Sequence, residues 1–182
     1  MKRPTIYLAA QYPRRKEIAK YGNQIKAAGY DLTSSWLYID DDAIDGNLNH
    51  LINKDPSIGR QMAVQDLRDI RRATILVLFT ESPNTPGLSP RGGRHFESGV
   101  AYERGMRVIF VGPSSKHGPR ENIFHCFDDV ETYRSWSQAL KVLQAELINR
   151  ENRFVQYLKR AGLLNWNYAF KKKELQKQSQ TF

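Results

Sequence analysis

Short apolar runs alternate with segments of helical periodicity along roughly the first 130 residues of the chain. A short apolar run bounded by turn residues is typical of a buried strand, whereas apolar residues three and four positions apart indicate a helix. Strands that alternate with helices form parallel sheets with right-handed crossovers. The chain is therefore predicted to fold as a doubly wound α/β domain with a mainly parallel five-stranded sheet, flavodoxin-like or Rossmann-like.

The apolar runs predict five strands, at Thr5–Ala9, Asp31–Leu37, Thr74–Phe79, Arg107–Val111 and Ile123–Phe127. The helical patterns between them predict three helices, at Arg14–Ala28, Ser57–Arg72 and Phe96–Arg104. Glycine follows two of these helices, at Gly29 and Gly105. Glycine ends helices because it readily adopts a positive φ, so both helix ends are predicted at these positions.

The C-terminal part has a different organisation, because the pattern is helical throughout from Tyr133 onward. We predict three regions: an α/β domain over residues 1–132, a helical arm packed on it over 133–170, and a basic, flexible tail over 171–182. The net charge of +9 is concentrated at this end, where eight Lys or Arg and two Glu follow from Arg150 onward. Such a tail either binds nucleic acid through salt-dependent phosphate contacts or is a solvated helix face and chain end.

The composition predicts a soluble protein. No apolar segment approaches the roughly 20 residues that span a bilayer, and the mean hydropathy is −0.61, so no membrane association is expected. The apolar start of the chain stops at Gln11 and predicts a first strand instead of a signal peptide. A single cysteine, Cys126, excludes an internal disulfide framework, so a reducing, cytoplasmic location is predicted. Cys126 itself is expected to be a buried small hydrophobic residue.

No metal or other cofactor is predicted. His50, His117 and His125 have no partners at the spacing of a metal site. Four aspartates within residues 40–45 lack the complete spacing of a calcium-binding loop and its closing glutamate. This acidic stretch is interpreted as a solvated loop.

A loop rich in Pro, Gly, Ser and Asn over residues 82–93 leads into the helix that carries Glu97. Ligands of open α/β sheets bind beyond the carboxyl ends of the strands, where this loop begins. Gly92 and Gly93 are expected to adopt positive φ and to let the backbone approach a ligand closely. Glu97 is expected within about the first helical turn, where the helix dipole keeps a carboxylate ionised. The alternative is an ordinary surface helix with a stabilising glutamate near its start.

Three motifs occur in order: Ile-Tyr-Leu-Ala-Ala at residues 6–10, Asp-Leu-Arg-Asp-Ile at 66–70 running into Ala-Thr-Ile-Leu-Val at 73–77, and Gly-x-x-x-Glu-x-Gly-x-Ala at 93–101, followed by Gly105. In this order and spacing the chain resembles the nucleoside 2-deoxyribosyltransferase family, which includes 2′-deoxynucleoside 5′-phosphate N-hydrolases. The resemblance covers roughly residues 4–130.

The resemblance implies a role for several residues. Glu97 would attack the anomeric carbon of a nucleoside and form a covalent glycosyl-enzyme, Asp66 would protonate or hydrogen-bond the departing base, and Tyr7 would orient Glu97. Asn122 stands where the family has an asparagine that reaches the neighbouring subunit's active site, so a homodimer or larger homo-oligomer is implied. This pairing of a carboxylate nucleophile with a second acid suits a sugar carbon that ionises toward an oxocarbenium ion.

Arg91 departs from the pattern of the family. The transferases have an aspartate six residues before the nucleophile, where it contacts the 5′ end of the sugar. An arginine can grip a phosphate bidentately, and Ser89, Gly92 and Gly93, with Arg94 as a further candidate, would complete a small anion nest around it. The departure therefore favours 5′-monophosphates, the substrates of the hydrolase branch. Alternatively, Arg91 pairs with an acid such as Glu81 or faces water.

Three further residues each have two interpretations. Trp36 either stacks on the base or packs in the core. Asp69 lies three residues after Asp66 on the same helix face and is the alternative to it as the inward-pointing acid. His95 either touches a phosphate or supplies a proton, or it is a structural residue at the start of a helix.

The sequence therefore predicts an enzyme that cleaves or transfers the N-glycosidic bond of (deoxy)nucleosides or their 5′-monophosphates through Glu97. Two alternatives belong to other classes. In one, the same pocket is a non-catalytic module that binds a nucleotide or an ADP-ribose-type molecule. In the other, the chain modifies bases in polymeric nucleic acid, to which the basic tail would bind.

Overall fold

The fold is given by a computed structural model, which describes residues 3–39, 52–81, 92–113, 123–161 and 163. Five strands form a single all-parallel sheet in the order β2-β1-β3-β4-β5. This is the flavodoxin-like strand order, so the predicted fold class is confirmed. The strands are β1 (Thr5–Ala9), β2 (Asp31–Leu32), β3 (Ile75–Phe79), β4 (Arg107–Val111) and β5 (Glu131–Tyr133).

Helices alternate with these strands and flank the sheet. The principal α-helices are α1 (Arg15–Ala27), α2 (Pro56–Arg72), α3 (Gly93–Glu103) and the C-terminal α4 (Trp136–Arg160). Single turns of 3₁₀ helix lie at Tyr12–Arg14, Ser35–Tyr38 and Ile123–Cys126.

The central strands form the core of the domain. All five residues of β3 are buried, as are the last four residues of both β1 and β4. Near-continuous apolar strands are typical of parallel sheets because helices cover both faces. The aromatic rings of Tyr21, Phe79 and Trp136 extend this core, with centroids 5.1 to 5.7 Å apart.

Local signals fix the helix ends near the candidate site. The carboxylate of Asp55 accepts a hydrogen bond from the N–H of Ser57 at 2.9 Å, and Pro56 occupies the first position of α2. Both features favour a helix start. Gly29 follows α1 at φ 99°, and Gly105 follows α3 at φ 65°, as predicted for the two helix ends.

The second strand is shorter than predicted, because it ends at Leu32 instead of Leu37. Side chains of the following segment occupy the backbone groups of β1 that a longer β2 would use. The hydroxyl of Ser34 accepts from the N–H of Leu8 at 2.6 Å, and the indole N–H of Trp36 donates to the carbonyl of Leu8 at 2.9 Å. The chain therefore leaves the sheet and turns into the 3₁₀ helix.

The prediction of a fifth strand at Ile123–Phe127 is wrong. Most of this segment is the 3₁₀ turn Ile123–Cys126, and Ile123 is 78% exposed. The fifth strand is the polar segment Glu131–Tyr133, which an ion pair between Glu131 and Arg107 of β4 ties to the sheet at 2.5 Å. Because the turn carries Cys126 at the surface, the expectation that this cysteine is buried is also wrong.

The chain divides into two compact units, Met1–Leu140 and Lys141–Phe182, and the boundary falls within α4. The candidate site belongs to the first unit. Within the described ranges, no helix combines the length and apolarity needed to cross a membrane.

Candidate active site

Three elements meet at the residues predicted to be catalytic. Helices α2 and α3 both contact β1 and contact each other. They carry Asp66 and Glu97, and β1 carries Tyr7. The hydroxyl of Tyr7 donates a hydrogen bond to Oε1 of Glu97 at 2.6 Å, across 90 residues of sequence. The fold therefore brings a tyrosine and two carboxyl groups together at one point.

Tyr7 is suited to donating this hydrogen bond at any ordinary pH. Its side chain is fully buried. Burial raises the pKa of Tyr7, and the charges of Glu97 and Asp66 raise it further. The hydroxyl therefore stays protonated and can orient a carboxylate.

Glu97 lies deeper and later in its helix than expected. Because α3 begins at Gly93, Glu97 is in the second turn and not among the first free N–H groups. Burial raises the pKa of Glu97 to about 8, and Asp66 adds to the rise. The hydrogen bond from Tyr7 and the charge of Arg94 act in the opposite direction. A pKa raised to about 8 favours the protonated form of Glu97 at neutral pH, contrary to the expectation that it stays ionised, although the residue remains partly exposed.

Asp66 has a raised pKa as well. Burial, and then the charge of Asp69, raise the pKa of Asp66 to about 6, while interaction with Tyr7 lowers it. Two carboxyl groups that act on the same hydroxyl titrate as a pair, so their protons belong to the pair rather than to one residue. The two raised pKa values favour one remaining proton on this pair near neutral pH.

Asp69 is the more buried of the two aspartates on α2, but all of its acceptor capacity is in use. Its side chain is fully buried. Oδ2 accepts from the N–H and the hydroxyl of Ser35, and Oδ1 accepts from Gln65 and Arg72. Asp69 therefore has a structural role, which leaves Asp66 as the acid that faces open space. Ser35 was missed by sequence reasoning, and its only signal is its position just before Trp36 near the end of β2.

Trp36 packs in the core, which is one of the two interpretations that the sequence left open. Its side chain is 7% exposed, and its indole N–H is bonded to the backbone of β1. It also lines an open cavity of about 540 Å³ next to Asp66. As far as the described residues show, the lining includes Asp66 but not Glu97; it contains Trp36, Gln61, Met62, Gln65, Asp66 and Arg68.

Arg94 is buried, with only 3% exposure, so it is not an open phosphate ligand. With the amide of Gln11 oriented so that its oxygen faces the guanidinium, Gln11 accepts from Nη1 at 2.9 Å and from Nη2 at 3.2 Å. Glu81 and Glu97 both attract the charge of Arg94. This cluster lies beside the tyrosine–glutamate pair and was not predicted.

The predicted anion nest is only partly described. Gly92 and Gly93 do precede Glu97, but Gly92 has a φ of −70° and Gly93 is helical, so the expected positive φ is wrong for both. Among the described residues, no atom lies within 4 Å of the position that a Cβ would take on either glycine, so these residues leave room for a ligand there. Ser89, Arg91 and Asn122 lie outside the described residues. Glu81, the suggested partner of Arg91, is bonded to Arg14 at 2.7 Å.

His95 packs against a second histidine. The ring centroids of His95 and His125 are 5.3 Å apart, and His125 is buried. Burial and the neighbouring charge of Arg94 lower the pKa of His95 to about 4. His95 is therefore neutral at physiological pH, which agrees with a structural role. The described residues contain no group of three or more His, Cys, Asp or Glu that could hold a metal ion.

The motifs that resemble the deoxyribosyltransferase family are short, and their match stays a prediction. The site itself consists of a buried tyrosine, two coupled carboxyl groups and a neighbouring cavity. No protein-family model matches the chain, and no curated protein is significantly similar to it.

Proposed function

We propose that the protein cleaves or transfers the N-glycosidic bond of (deoxy)nucleosides or their 5′-monophosphates, with Glu97 as the nucleophile. The hydrogen bond of 2.6 Å from Tyr7 to Glu97, beside the coupled carboxyl group of Asp66, is the observation that carries this proposal. On this proposal the protein is a nucleoside 2-deoxyribosyltransferase-like enzyme or a 5′-monophosphate N-glycosidase.

The reaction follows from the chemistry of the two carboxyl groups. An oxygen of ionised Glu97 forms a bond to the anomeric carbon while the bond from that carbon to the base nitrogen breaks. Asp66 donates a proton to the departing base, so the base leaves neutral. Water or a second base then attacks the glycosyl ester and releases Glu97, and the incoming group loses its proton to Asp66. Water makes the enzyme a hydrolase, and a second base makes it a transferase.

The productive protonation state is the minor one in the free protein. It needs Glu97 ionised and Asp66 protonated, whereas the pKa values are about 8 and about 6. Because the pKa of Glu97 lies above that of Asp66, the proton of the pair favours Glu97 over Asp66. A bound sugar that develops positive charge would favour ionised Glu97, so substrate binding and ionisation support each other.

Base release from a panel of nucleosides and 5′-monophosphates tests the proposal, with and without a second free base. We expect release from monophosphates, none in Glu97→Ala, and loss of the preference for monophosphates in Arg91→Ala. A 2-fluoro-substituted nucleotide should slow breakdown of the intermediate, so mass spectrometry should find a sugar adduct on the peptide that contains Glu97. Turnover that is unchanged in Glu97→Ala would overturn the proposal.

A homo-oligomer belongs to the same proposal, because Asn122 would complete the partner's site. Mixing two inactive variants, Asn122→Ala and Glu97→Gln, tests this arrangement. In a mixed dimer, one site combines an intact Glu97 with an intact Asn122 from the other chain. Activity should therefore return on mixing, up to about one quarter of the wild-type value per chain. No recovery in exchanging oligomers would exclude a site shared in this way.

A non-catalytic nucleotide-binding module is the second candidate, and one observation favours it. A buried glutamic acid that is mostly protonated at neutral pH can bind a ligand by hydrogen bonding without reacting. Calorimetry with Glu97→Gln separates the candidates, because a binding module keeps its affinity and an enzyme loses turnover. A polymeric substrate would be favoured instead if no small nucleotide binds or reacts and if the protein binds nucleic acid in a salt-sensitive way that requires residues 150–182.

A further inference from the structure

A buried positive charge lies next to the proposed nucleophile. Arg94 is in the first turn of α3, three residues before Glu97, so the two side chains leave neighbouring positions of one helix face with Cβ atoms about 5–6 Å apart. Arg94 is 3% exposed. A buried guanidinium is costly unless acceptors and negative charges surround it, so the groups around Arg94 indicate what it does.

Two residues from other elements hold Arg94 in place. Gln11, just after β1, accepts from both terminal nitrogens of Arg94, at 2.9 and 3.2 Å, and is itself only 9% exposed. Glu81, just after β3, attracts Arg94 electrostatically. Arg94 is thereby fixed at the carboxyl ends of the two central strands, where the ligand of such a sheet is expected.

Glu81 has a second positively charged partner, Arg14, besides Arg94. Arg14 bonds Glu81 at 2.7 Å and binds both oxygens of Glu17, at 2.7 and 2.8 Å. Arg14 therefore bonds two carboxyl groups, those of Glu17 and Glu81. Arg94 is attracted by Glu81 and also by Glu97, and its positive charge lowers the pKa of Glu97.

We infer that Arg94 is a positioning residue of the proposed enzyme: held by Gln11 and Glu81, it supplies the buried positive charge against which Glu97 ionises. This role rests on the proposed function, in which Glu97 must lose its proton to attack. Tyr7 faces Glu97 from β1 and Asp66 faces it from α2, with Asp69 behind Asp66. Among these described neighbours only Arg94 is positively charged, and it acts in the same direction as the hydrogen bond from Tyr7, which also lowers the pKa of Glu97.

A direct titration of Glu97 tests the inference without relying on turnover. Glutamate labelled with ¹³C at the carboxyl carbon is incorporated, and the Glu97 resonance is identified as the one missing in Glu97→Gln. Arg94→Gln should raise the pKa of Glu97 by about one unit, and Arg94→Lys should raise it less. Arg104→Gln is the matched control, because Arg104 is an exposed arginine at the end of the same helix. It should leave the Glu97 titration unchanged.

Glu81→Gln gives a second test with the opposite sign. It removes a negative charge that competes for Arg94, while Gln11 still accepts from the guanidinium, so the pKa of Glu97 should fall by about half a unit or more. Loss of packing alone would not lower it. If Arg94→Gln does not fold, Glu81→Gln and Arg94→Lys decide the question.

An unchanged Glu97 titration in folded Arg94→Gln, or a pKa that does not fall in Glu81→Gln, would overturn the inference. These results are separate from the fate of the proposed function. Absence of turnover in the wild-type protein contradicts the proposed function, whereas the titration reports on Arg94 in either case.

Discussion

Oδ2 of Asp69 accepts two hydrogen bonds from Ser35, one from its backbone N–H at 2.8 Å and one from its hydroxyl at 2.5 Å. The contact joins the 3₁₀ turn that carries Trp36 to the helix that carries Asp66. These two residues line the same cavity. A fully buried carboxylate therefore sets the distance between the wall of the cavity and the proposed acid.

Asp69→Ala should lower the free energy of unfolding by about 2–4 kcal/mol, because it leaves the N–H of Ser35 without its acceptor and opens a small cavity. Urea denaturation at neutral pH measures this change. Asp31→Ala is the control, since its ion pair with Arg3 is exposed and 3.9 Å long. That control should cost less than about 0.5 kcal/mol. Equal losses in the two variants would show that Asp69 does not hold the turn.

The sequence predicted the central strands closely because their signal is local. The bounds of β1 and β4 agree with the predictions, since a buried parallel strand is apolar at nearly every position. The end of β2 was not predictable in this way. It depends on the side chains of Ser34 and Trp36, which bond the backbone N–H and carbonyl of Leu8 in competition with a longer β2. That competition exists only once distant segments are packed together.

The candidate site shows the same division. Motifs in the sequence pointed to Tyr7, Asp66 and Glu97, and the fold brings their side chains into one interacting group. Their protonation could not be predicted, because it depends on burial and on neighbours from three elements. The cluster of Arg94 with Gln11 was missed for the same reason, since residues 11 and 94 meet only in three dimensions.

Tyr7→Phe should reduce kcat about 10- to 100-fold with little change in KM, since the variant keeps the ring but loses the hydrogen bond that orients Glu97. The pKa of Glu97 should rise further, because this hydrogen bond lowers it in the wild type. Initial rates with a 5′-monophosphate and the carboxyl titration of Glu97 measure the two effects.

Tyr21→Phe is the matched control for this prediction. Tyr21 also donates its hydroxyl to a carboxylate, that of Glu17 at 2.8 Å, but on α1. Its removal should leave kcat within about twofold of the wild type. A Tyr7→Phe enzyme as active as Tyr21→Phe would contradict the orienting role.

The raised pKa of Glu97 makes stability depend on pH with a definite sign. The unfolded chain loses this proton near pH 4.5, and the folded protein keeps it until about pH 8. The folded state therefore binds more protons in this window, and its stability falls as pH rises from about 4.5 to 8. Glu97→Gln cannot ionise, so it should be more stable than the wild type at pH 8 by about 2–4 kcal/mol and little different at pH 4.5.

Denaturant melts at several pH values measure this difference. Glu103→Gln is the control, because it makes the same change at an exposed position of the same helix. It should show no stabilisation that grows with pH. If Glu97→Gln behaves like Glu103→Gln at pH 8, Glu97 is ionised in the folded protein without cost, and its burial does not control its charge.

The coupled carboxyl pair predicts a bell-shaped dependence of kcat/KM on pH for a 5′-monophosphate, with apparent pKa values of about 6 and about 8. Below the first value both groups are protonated and Glu97 cannot attack. Above the second both are ionised and no proton remains for the leaving base.

Asp66→Asn should lower activity about 100- to 1000-fold and abolish the fall at high pH, because its amide cannot titrate. With an N7-methylated purine nucleotide, whose base leaves without a proton, this variant should recover most of the loss. Equal losses on both substrates would assign the proton to a group other than Asp66.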